Sequence, residues 1–404
     1  ESGGDGGMKW EKVAIKDICT GIYDGPHATP PLSDTGAIFL GISNFNNGRL
    51  DFSDIRYISE DDLPKWTKRV IPQKNDIVFS YEATLNLYAI IPEGFRGCLG
   101  RRMALLRVDE TKADYKFLYY YFYSDAWRAT VNENIVLGAT VDRIPLIKFP
   151  DFPVELPPLE TQHRIADILS AYDDLIENNQ KQIKLLEEAA RRLYKEWFVD
   201  LRFPGHENTK IVDGVPEGWS KSTVGNICKL RKVVITPDKI ESNTPYIGLE
   251  HMPRNDICLS MWGKSEEINS NKFIYLKKDV LFGKIRPYFH KVGFALNDGI
   301  TSTDTMVMVA DQNLWGLLLV TVSSDAFVDF SYQNCKEGAK MPRADWKQME
   351  KYAIMIADQA TQKLFEQEIL VITNKISALA FQCRSLREAR DRMLPKLIGG
   401  EVEV

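Results

Sequence analysis

The sequence predicts an α+β fold in which two globular α/β domains are separated by two long antiparallel coiled-coil helices. Three observations lead to this prediction: the second half of the chain repeats the first, each half contains a stretch with apolar residues every seven positions, and the segment between the halves is short. The chain has 404 residues, of which 44% are hydrophobic and 26% are charged. This length and composition are typical of a globular protein with two or three domains.

The internal repeat is visible at a constant offset of 200 residues. The matching positions are SDA at 124–126 and 324–326, GA at 138–139 and 338–339, Arg143 and Arg343, and TQ at 161–162 and 361–362. Further upstream the offset drifts, as loop insertions would make it, so that Asp76 pairs with Asp279. Because the order of the matches is kept, we interpret the chain as two copies of one unit with a pseudo-two-fold relation.

Each copy ends in a predicted coiled-coil helix with apolar a and d positions. The first seam consists of Ile165, Leu169, Tyr172, Ile176, Asn179, Ile183, Leu186 and Leu193. The second consists of Phe365, Ile369, Ile372, Ile376, Leu379, Leu386 and Met393, with Cys383 and Arg390 at further a positions. Asn179 is a lone polar residue in the first seam, and such a residue sets the register of a coiled coil.

The short linker predicts the direction of the second helix. A helix of ~39 residues is ~58 Å long, and a linker of ~20 residues reaches at most ~70 Å. A parallel pair would need that linker to be almost fully extended, whereas an antiparallel pair needs no return path. The two globular domains are therefore expected at opposite ends of a rod.

The predicted boundaries follow from these elements. We expect a cloning remnant at 1–7, a first globular domain at 8–155, a central helix at 156–200, a linker at 201–218, a second globular domain at 219–355, a distal helix at 356–398 and a tail at 399–404. Within each globular domain, short β-type runs such as 76–79 precede one apolar helical stretch, at 116–128 and 314–330.

Composition and motifs exclude several classes of protein. No apolar run is long enough to span a membrane, and no H-E-x-x-H or C-x-x-C spacing suggests a metal site among the five histidines and six cysteines. Scattered cysteines and the lack of a signal peptide favour a reducing cytosol. Neither an N-P-P-[YF] or D-P-P-[YF] methyltransferase motif nor a G-x-x-x-x-G-K-[ST] phosphate loop occurs. We expect no metal and no cofactor bound by this chain.

Several short phrases, taken in order, resemble those of the DNA-specificity subunits of type I restriction–modification systems. They are DGPHATP at 24–30, PPLETQ at 157–162, WFVDLRFPG at 197–205, VPEGW at 215–219, GKIRPY at 283–288 and MLPKLIGG at 393–400. The resemblance covers essentially residues 8–404. One departure is that Pro157-Pro158, before the first helix, is replaced in the second copy by Ala357-Asp358.

The resemblance implies a subunit without chemistry of its own, carrying two target-recognition domains. Each domain would read one half of a split DNA site, and the helices would set the spacer between the halves. Two modification subunits would supply methyltransferase activity with S-adenosylmethionine, and motor-nuclease subunits would use ATP and Mg²⁺. The alternatives are a stand-alone DNA methyltransferase or nuclease and a coiled-coil scaffold that does not bind DNA. The net charge of −5 argues against a chain that binds DNA unaided.

Candidate DNA-contacting residues are polar, basic or aromatic side chains on predicted loops, which could reach base edges or phosphates. In the first domain they are Tyr23, His27, Thr29, Ser43, Asn44, Asn46, Arg101, Arg102 and Thr140. In the second domain they are His251, Arg254, Lys284, Arg286, Tyr288, His290 and Lys340. Arg143 and Arg343 occur in both copies and are therefore better candidates for a structural role. Positions that differ between the copies are better candidates for reading two different sequences.

The missing catalytic motifs generate a first prediction. The purified chain should not bind S-adenosylmethionine, because it lacks the N-P-P-[YF] and D-P-P-[YF] motifs of amino-methyltransferases. Isothermal titration calorimetry should show no binding heat, whereas the same titration of a complex with modification subunits should show saturable binding. A micromolar Kd for the isolated chain would contradict the prediction.

Overall fold

A computed structural model of the chain describes residues 10–136, 141–266, 268–311, 313–335 and 341–404. The chain forms two compact units. Unit 1 comprises residues 1–174 and 386–404, and unit 2 comprises residues 175–385. Each unit contains one globular domain, called domain 1 or domain 2 below, together with one stretch of each long helix.

Domain 1 is a mixed α/β domain built around a four-stranded sheet with the order β2-β10-β7-β8. Its strands are β1 (Glu11–Ala14), β2 (Cys19–Asp24), β3 (Ala37–Leu40), β4 (Phe45–Asn46), β5 (Arg49–Leu50), β6 (Arg56–Ile58), β7 (Ile77–Ser80), β8 (Tyr88–Ile90), β9 (Gly97–Leu99), β10 (Met103–Val108) and β11 (Pro153–Leu156). Its helices are α1 (Leu63–Trp66), α2 (Tyr115–Tyr121) and α3 (Asp125–Asn134), and the long helix α4 (Leu159–Tyr194) follows.

Domain 2 is preceded by the hairpin of β12 (Ile211–Val212) and β13 (Val215–Pro216). Its strands are β14 (Ser220–Thr223), β15 (Lys229–Leu230), β16 (Val234–Ile235), β17 (Tyr246–Ile247), β18 (Cys258–Leu259), β19 (Lys272–Tyr275), β20 (Val280–Gly283), β21 (Val292–Ala295), β22 (Gly299–Thr301), β23 (Thr305–Val309) and β24 (Ala353–Ile356). Its helices are α5 (Val224–Ile227), α6 (Trp315–Val322), α7 (Asp325–Gln333) and α8 (Trp346–Met349), and the long helix α9 (Gln359–Ile398) follows.

The two domains share one topology, so the predicted internal repeat is confirmed. The order β2-β10-β7-β8 in domain 1 corresponds to β15-β23-β20-β21 in domain 2. The parallel pair β3·β9 corresponds to β17·β22, and the antiparallel pair β1·β11 corresponds to β14·β24. The central strands β7 and β20 are buried along their whole length, as expected for strands covered on both faces.

The repeated SDA sequence marks the start of a helix in each domain. The Ser124 hydroxyl accepts a hydrogen bond from the amide of Trp127 at 3.2 Å, and Ser324 accepts one from Phe327 at the same distance. A serine in this position caps the first turn of a helix. The single helical stretch predicted in each domain is therefore wrong, because this cap separates α2 from α3 and α6 from α7.

The repeated aspartate before each central strand supports a turn and an ion pair. Asp76 accepts a hydrogen bond from the Gln73 amide and pairs with Arg107 at 2.8 Å. Asp279 accepts one from the Leu276 amide and pairs with Arg231, also at 2.8 Å. The two carboxylates occupy equivalent positions. Arg107 lies in β10, whereas Arg231 directly follows β15, so the tertiary structure determines which arginine pairs with each aspartate.

The repeated TQ sequence fastens each long helix to the domain before it. Gln162, in the first turn of α4, accepts a hydrogen bond from the amide of Asp114, which caps α2. Gln362 in α9 donates a hydrogen bond to Glu366, whose carboxylate accepts the amides of Gly316 and Leu317 at 2.6 and 3.0 Å. Both glutamines are buried. The start of α9 lacks the two prolines of the first copy, and Asp358 instead caps it by accepting the amides of residues 360 and 361.

The long helices run antiparallel within each unit, as predicted. In unit 2, Trp197 lies against Phe365, with 5.6 Å between ring centroids, and Asn179 donates to Gln382 at 3.5 Å. Residue numbers therefore rise along α4 as they fall along α9. The 15 predicted seam residues are all buried or half-buried. No helix in the described ranges is both long and apolar enough to cross a membrane.

The heptad pattern does not account for the charged residues buried on the helices. Asp173 and Glu187 on α4 and Glu366 on α9 are all largely inaccessible to solvent. Arg390, at a predicted a position, pairs with Asp173 at 2.5 Å. Burying a charge is costly unless it is paired or hydrogen-bonded, so each of these groups depends on partners that the heptad pattern does not show.

Burial of Glu187 generates a prediction about stability. Desolvation raises the pKa of its carboxyl group from 4.5 to about 7, and the nearby Asp256 adds to the effect. The folded state therefore holds this proton more tightly than the unfolded state does. The free energy of unfolding should fall as the pH rises from about 4.5 to about 7, by at most about 3 kcal/mol.

The substitution Glu187→Gln should remove this part of the pH dependence, because the amide oxygen still accepts hydrogen bonds but does not ionise. Its melting temperature should exceed that of the wild type at pH 8 by more than at pH 5. Glu188→Gln, at the exposed neighbouring position, is the matched control and should leave the difference unchanged. Identical pH profiles for Glu187→Gln and the wild type would contradict the prediction.

Candidate nucleic-acid interface

Each domain carries the same loop junction beyond its central strand. In domain 2, the Arg286 amide donates to the carbonyl of Pro342 at 2.9 Å, and the Ala344 amide donates to Lys284. In domain 1, the Ala83 amide donates to Asp142 at 3.2 Å, and the Ile144 amide donates to Tyr81. Ala83 and Arg286 are thus equivalent, and both adopt left-handed backbone conformations with φ of 70° and 50°. Such a conformation in a non-glycine residue is held by its surroundings.

The arginines present in both copies belong to this junction. The backbone of Arg143 forms an isolated antiparallel β-bridge with Glu82 in domain 1. Arg343 forms the equivalent backbone bridge with Ile285 in domain 2. Arg343 also pairs with Asp304 at 3.0 Å. These contacts support the interpretation that Arg143 and Arg343 have a structural role. The side chains that differ, Ala83 and Arg286, occupy one position of a shared scaffold.

Domain 2 presents an arginine–aromatic patch consisting of Arg254, Arg286, Tyr288, Phe289 and Tyr332. The guanidinium carbons of Arg254 and Arg286 lie 4.1 and 5.7 Å from the ring centroid of Phe289. Tyr288 and Tyr332 are about half exposed and meet edge to face at 5.2 Å. Within the described residues, neither Arg254 nor Arg286 has a salt bridge to a carboxylate. Two guanidinium groups held by a ring and free of acidic partners are suited to phosphate or base contacts.

Lys284 and His290, two other candidates in domain 2, form hydrogen bonds within the domain. Lys284 is half-buried, its ammonium group donates to the carbonyl of Thr303 at 2.7 Å, and desolvation lowers its pKa. His290 is only 8% exposed and hydrogen-bonds the carbonyl of Ser323 at 2.8 Å. The assignment of Lys284 and His290 to direct DNA contact is not supported by this geometry, because their polar groups are used within the domain.

Asn44 and His251 perform one structural task in the two domains. The Asn44 side chain accepts the Gly41 amide at 2.9 Å, and the His251 ring accepts the Gly248 amide at 3.0 Å. Asn44 is only 2% exposed and also donates to the carbonyls of Asp51 and Asp54. Each side chain therefore holds a turn. The prediction that Asn44 contacts DNA is wrong because its side chain is buried, whereas DNA contact by the half-buried His251 stays a prediction. Ser43 and Asn46, beside Asn44, are exposed.

The first loop of domain 1 is held at its base and exposed at its tip. Asp24 pairs with His27 at 3.0 Å and with Arg69, whose guanidinium also donates to the carbonyl of Gly25 at 3.3 Å. His27 and Thr29 are exposed, whereas Tyr23 is half-buried against the small apolar core beside it. The contact of Arg69 with this loop was not predicted, because nothing in the sequence around Arg69 distinguishes it from an arginine exposed to solvent.

The paired arginines of domain 1 differ from each other. Arg101 is exposed, and its carbonyl accepts a hydrogen bond from Tyr81 at 2.9 Å. Arg102 is half-buried and lies 3.4 Å from Glu82. Arg101 therefore remains a candidate for DNA contact, while Arg102 belongs to the loop junction. Thr140 and Lys340, together with the repeated GA at 138–139 and 338–339, lie outside the described residues.

The described residues contain no cluster of three or more His, Cys, Asp or Glu side chains that could hold a metal ion. Their exposed candidate groups are His27, Thr29, Ser43, Asn46, Arg101, Arg254, Arg286 and Tyr288. Such groups bind and orient a ligand by hydrogen bonds, charge and stacking. The arrangement fits recognition of a nucleic acid.

Comparison with known proteins agrees with this interpretation. Residues 8–188 match the family described as Type I restriction modification DNA specificity domain. The MjaIX specificity subunit of a type I restriction enzyme from Methanocaldococcus jannaschii is 25% identical over 384 residues, covering 86% of this chain and 82% of the relative. The MjaVIII specificity subunit from the same organism is 30% identical over 243 residues, covering 60% of this chain and 49% of the relative.

A solved structure shows the same fold. The crystal structure of the S subunit of a type I restriction–modification system from M. genitalium has a TM-score of 0.56 and 16% sequence identity to this chain. The match covers 98% of both chains. It therefore includes both domains and both long helices.

The patch leads to a prediction that distinguishes the exposed Arg286 from the half-buried Lys284. Arg286→Ala should weaken DNA binding by about 1–3 kcal/mol, as loss of a base-reading arginine does, without lowering the melting temperature. Lys284→Ala should instead lower the melting temperature, because the hydrogen bond to Thr303 is lost.

Competition binding of the assembled methyltransferase at fixed salt measures the first effect, and thermal unfolding measures the second. Lys221→Ala is the matched control, since Lys221 is an exposed cation on β14, the strand that pairs with β24. If Arg286→Ala and Lys221→Ala gave the same affinity, the patch would not be part of the interface.

Proposed function

We propose that each of the two domains of this chain reads one half of a split DNA site. The chain belongs to the family of type I restriction–modification DNA-specificity subunits. The observation that carries this proposal is one scaffold used twice with different exposed side chains. At equivalent left-handed positions domain 1 has Ala83 and domain 2 has Arg286. At equivalent positions of α3 and α7 they have Asn132 and Tyr332, both exposed.

Two readers with different surfaces fit a site whose halves differ in sequence. Each base pair presents a distinct pattern of hydrogen-bond donors, acceptors and methyl groups in the major groove, and complementary side chains distinguish these patterns. Domain 2 presents arginines and tyrosines, whereas domain 1 presents His27, Thr29, Ser43, Asn46 and Arg101. Different sets of groups on one scaffold would select different half-sequences.

The chain would direct a larger enzyme to its DNA site and would not catalyse the reaction itself. Modification subunits would bind S-adenosylmethionine and methylate the site, and motor-nuclease subunits would bring ATP, Mg²⁺ and DNA cleavage. The net charge of −5 supports this division, because a chain with no basic excess needs partners that contribute phosphate contacts. We expect the assembly to act on DNA in the prokaryotic cytoplasm.

The two long helices would set the distance between the half-sites. Four residues inserted after Asn179 add one turn, about 6 Å, to α4, which corresponds to about one or two base pairs of duplex. Any active variant should keep both half-sequences and recognise a spacer longer by that amount. The insertion also rotates the seam and disturbs the bond between Asn179 and Gln382, so some stability should be lost.

Methylome sequencing of a strain carrying the variant measures half-sequences and spacer together. Four residues inserted between Asp213 and Gly214, both exposed in the turn between β12 and β13, are the matched control and should leave the spacer unchanged. A changed half-sequence with an unchanged spacer in the Asn179 variant would mean that the helices do not measure distance.

A further inference from the structure

Domain 1 is joined to the long helices by a buried ionic cluster, called anchor 1, that consists of Asp173, Arg390, Tyr120 and Arg49. The Asp173 carboxylate accepts a hydrogen bond from the Tyr120 hydroxyl at 2.6 Å and pairs with Arg390 at 2.5 Å. The backbone carbonyl of Asp173 accepts a hydrogen bond from Arg49 at 2.9 Å. Asp173 is only 8% exposed. Tyr120 of domain 1 therefore completes a charge pair formed by the helices, and Arg49 adds a hydrogen bond to the helix backbone.

Domain 2 is joined to the helices by different chemistry, called anchor 2, in which Glu187, Arg191 and Glu366 bind backbone groups. One oxygen of Glu187 accepts the amides of Ile257 and Cys258 at 2.9 and 3.1 Å. Arg191 donates to the carbonyl of Asn255. Glu366 accepts two amides at the start of α6. Glu187 is 2% exposed, so its hydrogen bonds to domain 2 replace water.

The two anchors do not follow the internal repeat. At the offset of 200, Asp173 corresponds to Thr373, whose hydroxyl donates to the Ile369 carbonyl of its own helix. Arg390 corresponds to Ala190, and Glu187 corresponds to Arg387. The serine caps Ser124 and Ser324 and the glutamines Gln162 and Gln362 are shared between the copies, whereas the residues of the two anchors are not.

A buried charge without its partner is strongly destabilising, so an anchor also discriminates between domains. A domain that lacks a hydroxyl at the position of Tyr120 would leave an oxygen of Asp173 unsatisfied; domain 2 has Val320 at the equivalent position. The exposed loops can change without cost to this contact. The two anchors can therefore keep each domain on its own helix segment.

We infer that anchor 1 and anchor 2 form a docking code, in which helix residues select the recognition domain that they hold. The unit of specificity then includes positions of α4 and α9 as well as the globular domain. Asp173, Arg390, Glu187, Arg191 and Glu366 are positioning residues that act on DNA recognition through the domain they hold. This inference rests on the proposed function for its DNA readout, but docking itself can be measured without DNA.

The test places a second copy of domain 2 in the first position. Residues 219–355 replace residues 8–155, which keeps the connection into α4. One exchange chain retains the native helices. The other also carries the residues of anchor 2 at the equivalent helix positions, through Ala166→Glu, Asp173→Thr, Arg387→Glu, Arg390→Ala and Asp391→Arg. A third variant, the matched control, carries these five substitutions in the otherwise native chain.

Hydrogen exchange measures docking directly. The inserted copies of the Ile257 and Cys258 amides should exchange at least ten times more slowly in the recoded exchange chain than in the exchange chain with native helices. In the control variant, amides of α2 in domain 1 should exchange at least ten times faster than in the wild type. Equal exchange in the two exchange chains, or an unaffected domain 1 in the control, would overturn the docking code.

Methylation by the assembled complex measures the consequence for recognition. The recoded exchange chain should direct methylation to duplexes carrying two copies of the half-site read by domain 2, at a rate at least ten times that of the other exchange chain. Equal rates would overturn the role of the anchors in recognition. If instead the wild-type complex showed no sequence preference, the proposed function would fail, while the hydrogen-exchange comparison would still decide whether the anchors select their domains.

Discussion

Each unit depends on the burial of an apolar surface shared by a stretch of α4, a stretch of α9 and one globular domain. In unit 2, Phe365 and Ile369 of α9, Ala190 of α4 and Trp197 just after α4 pack into one core with the apolar helix α6. In unit 1, Ile165 and Leu169 meet Leu397 and Ile398 against Phe117 of α2. Neither helix could bury its apolar stripe alone, and burial of apolar area is the main favourable contribution to folding.

Polar groups then determine how each domain is placed on its helices. The apolar contact is nondirectional, since it depends on area rather than on the alignment of particular atoms. Hydrogen bonds and ion pairs require alignment, and in a buried setting a missing partner is costly. Gln162 fastens the start of α4, while Asp173, Glu187 and Glu366 hold the domains. A few buried polar side chains therefore align each domain with the helix segments that it contacts.

Duplication explains why recognition and structure are separated in this chain. Turn-holding residues such as Asn44 and His251 do the same work with different side chains, and the left-handed position carries Ala83 in one copy and Arg286 in the other. A scaffold that maintains its backbone by local hydrogen bonds tolerates such changes at exposed positions. Two copies can therefore keep one fold while presenting different groups to DNA.

The sequence by itself determined the features that depend on local order, which are the seven-residue spacing of the helices and the internal repeat. It also indicated the antiparallel direction, because chain length limits the reach of a linker. Only the tertiary structure decided that Asn44 and His290 are buried supports, that Arg254 and Arg286 share the ring of Phe289, and that Asp173 meets Arg390. Sequence periodicity reports which face of an element is apolar. The partner of a polar side chain is set by residues distant in the chain, so the candidate site was only partly predictable.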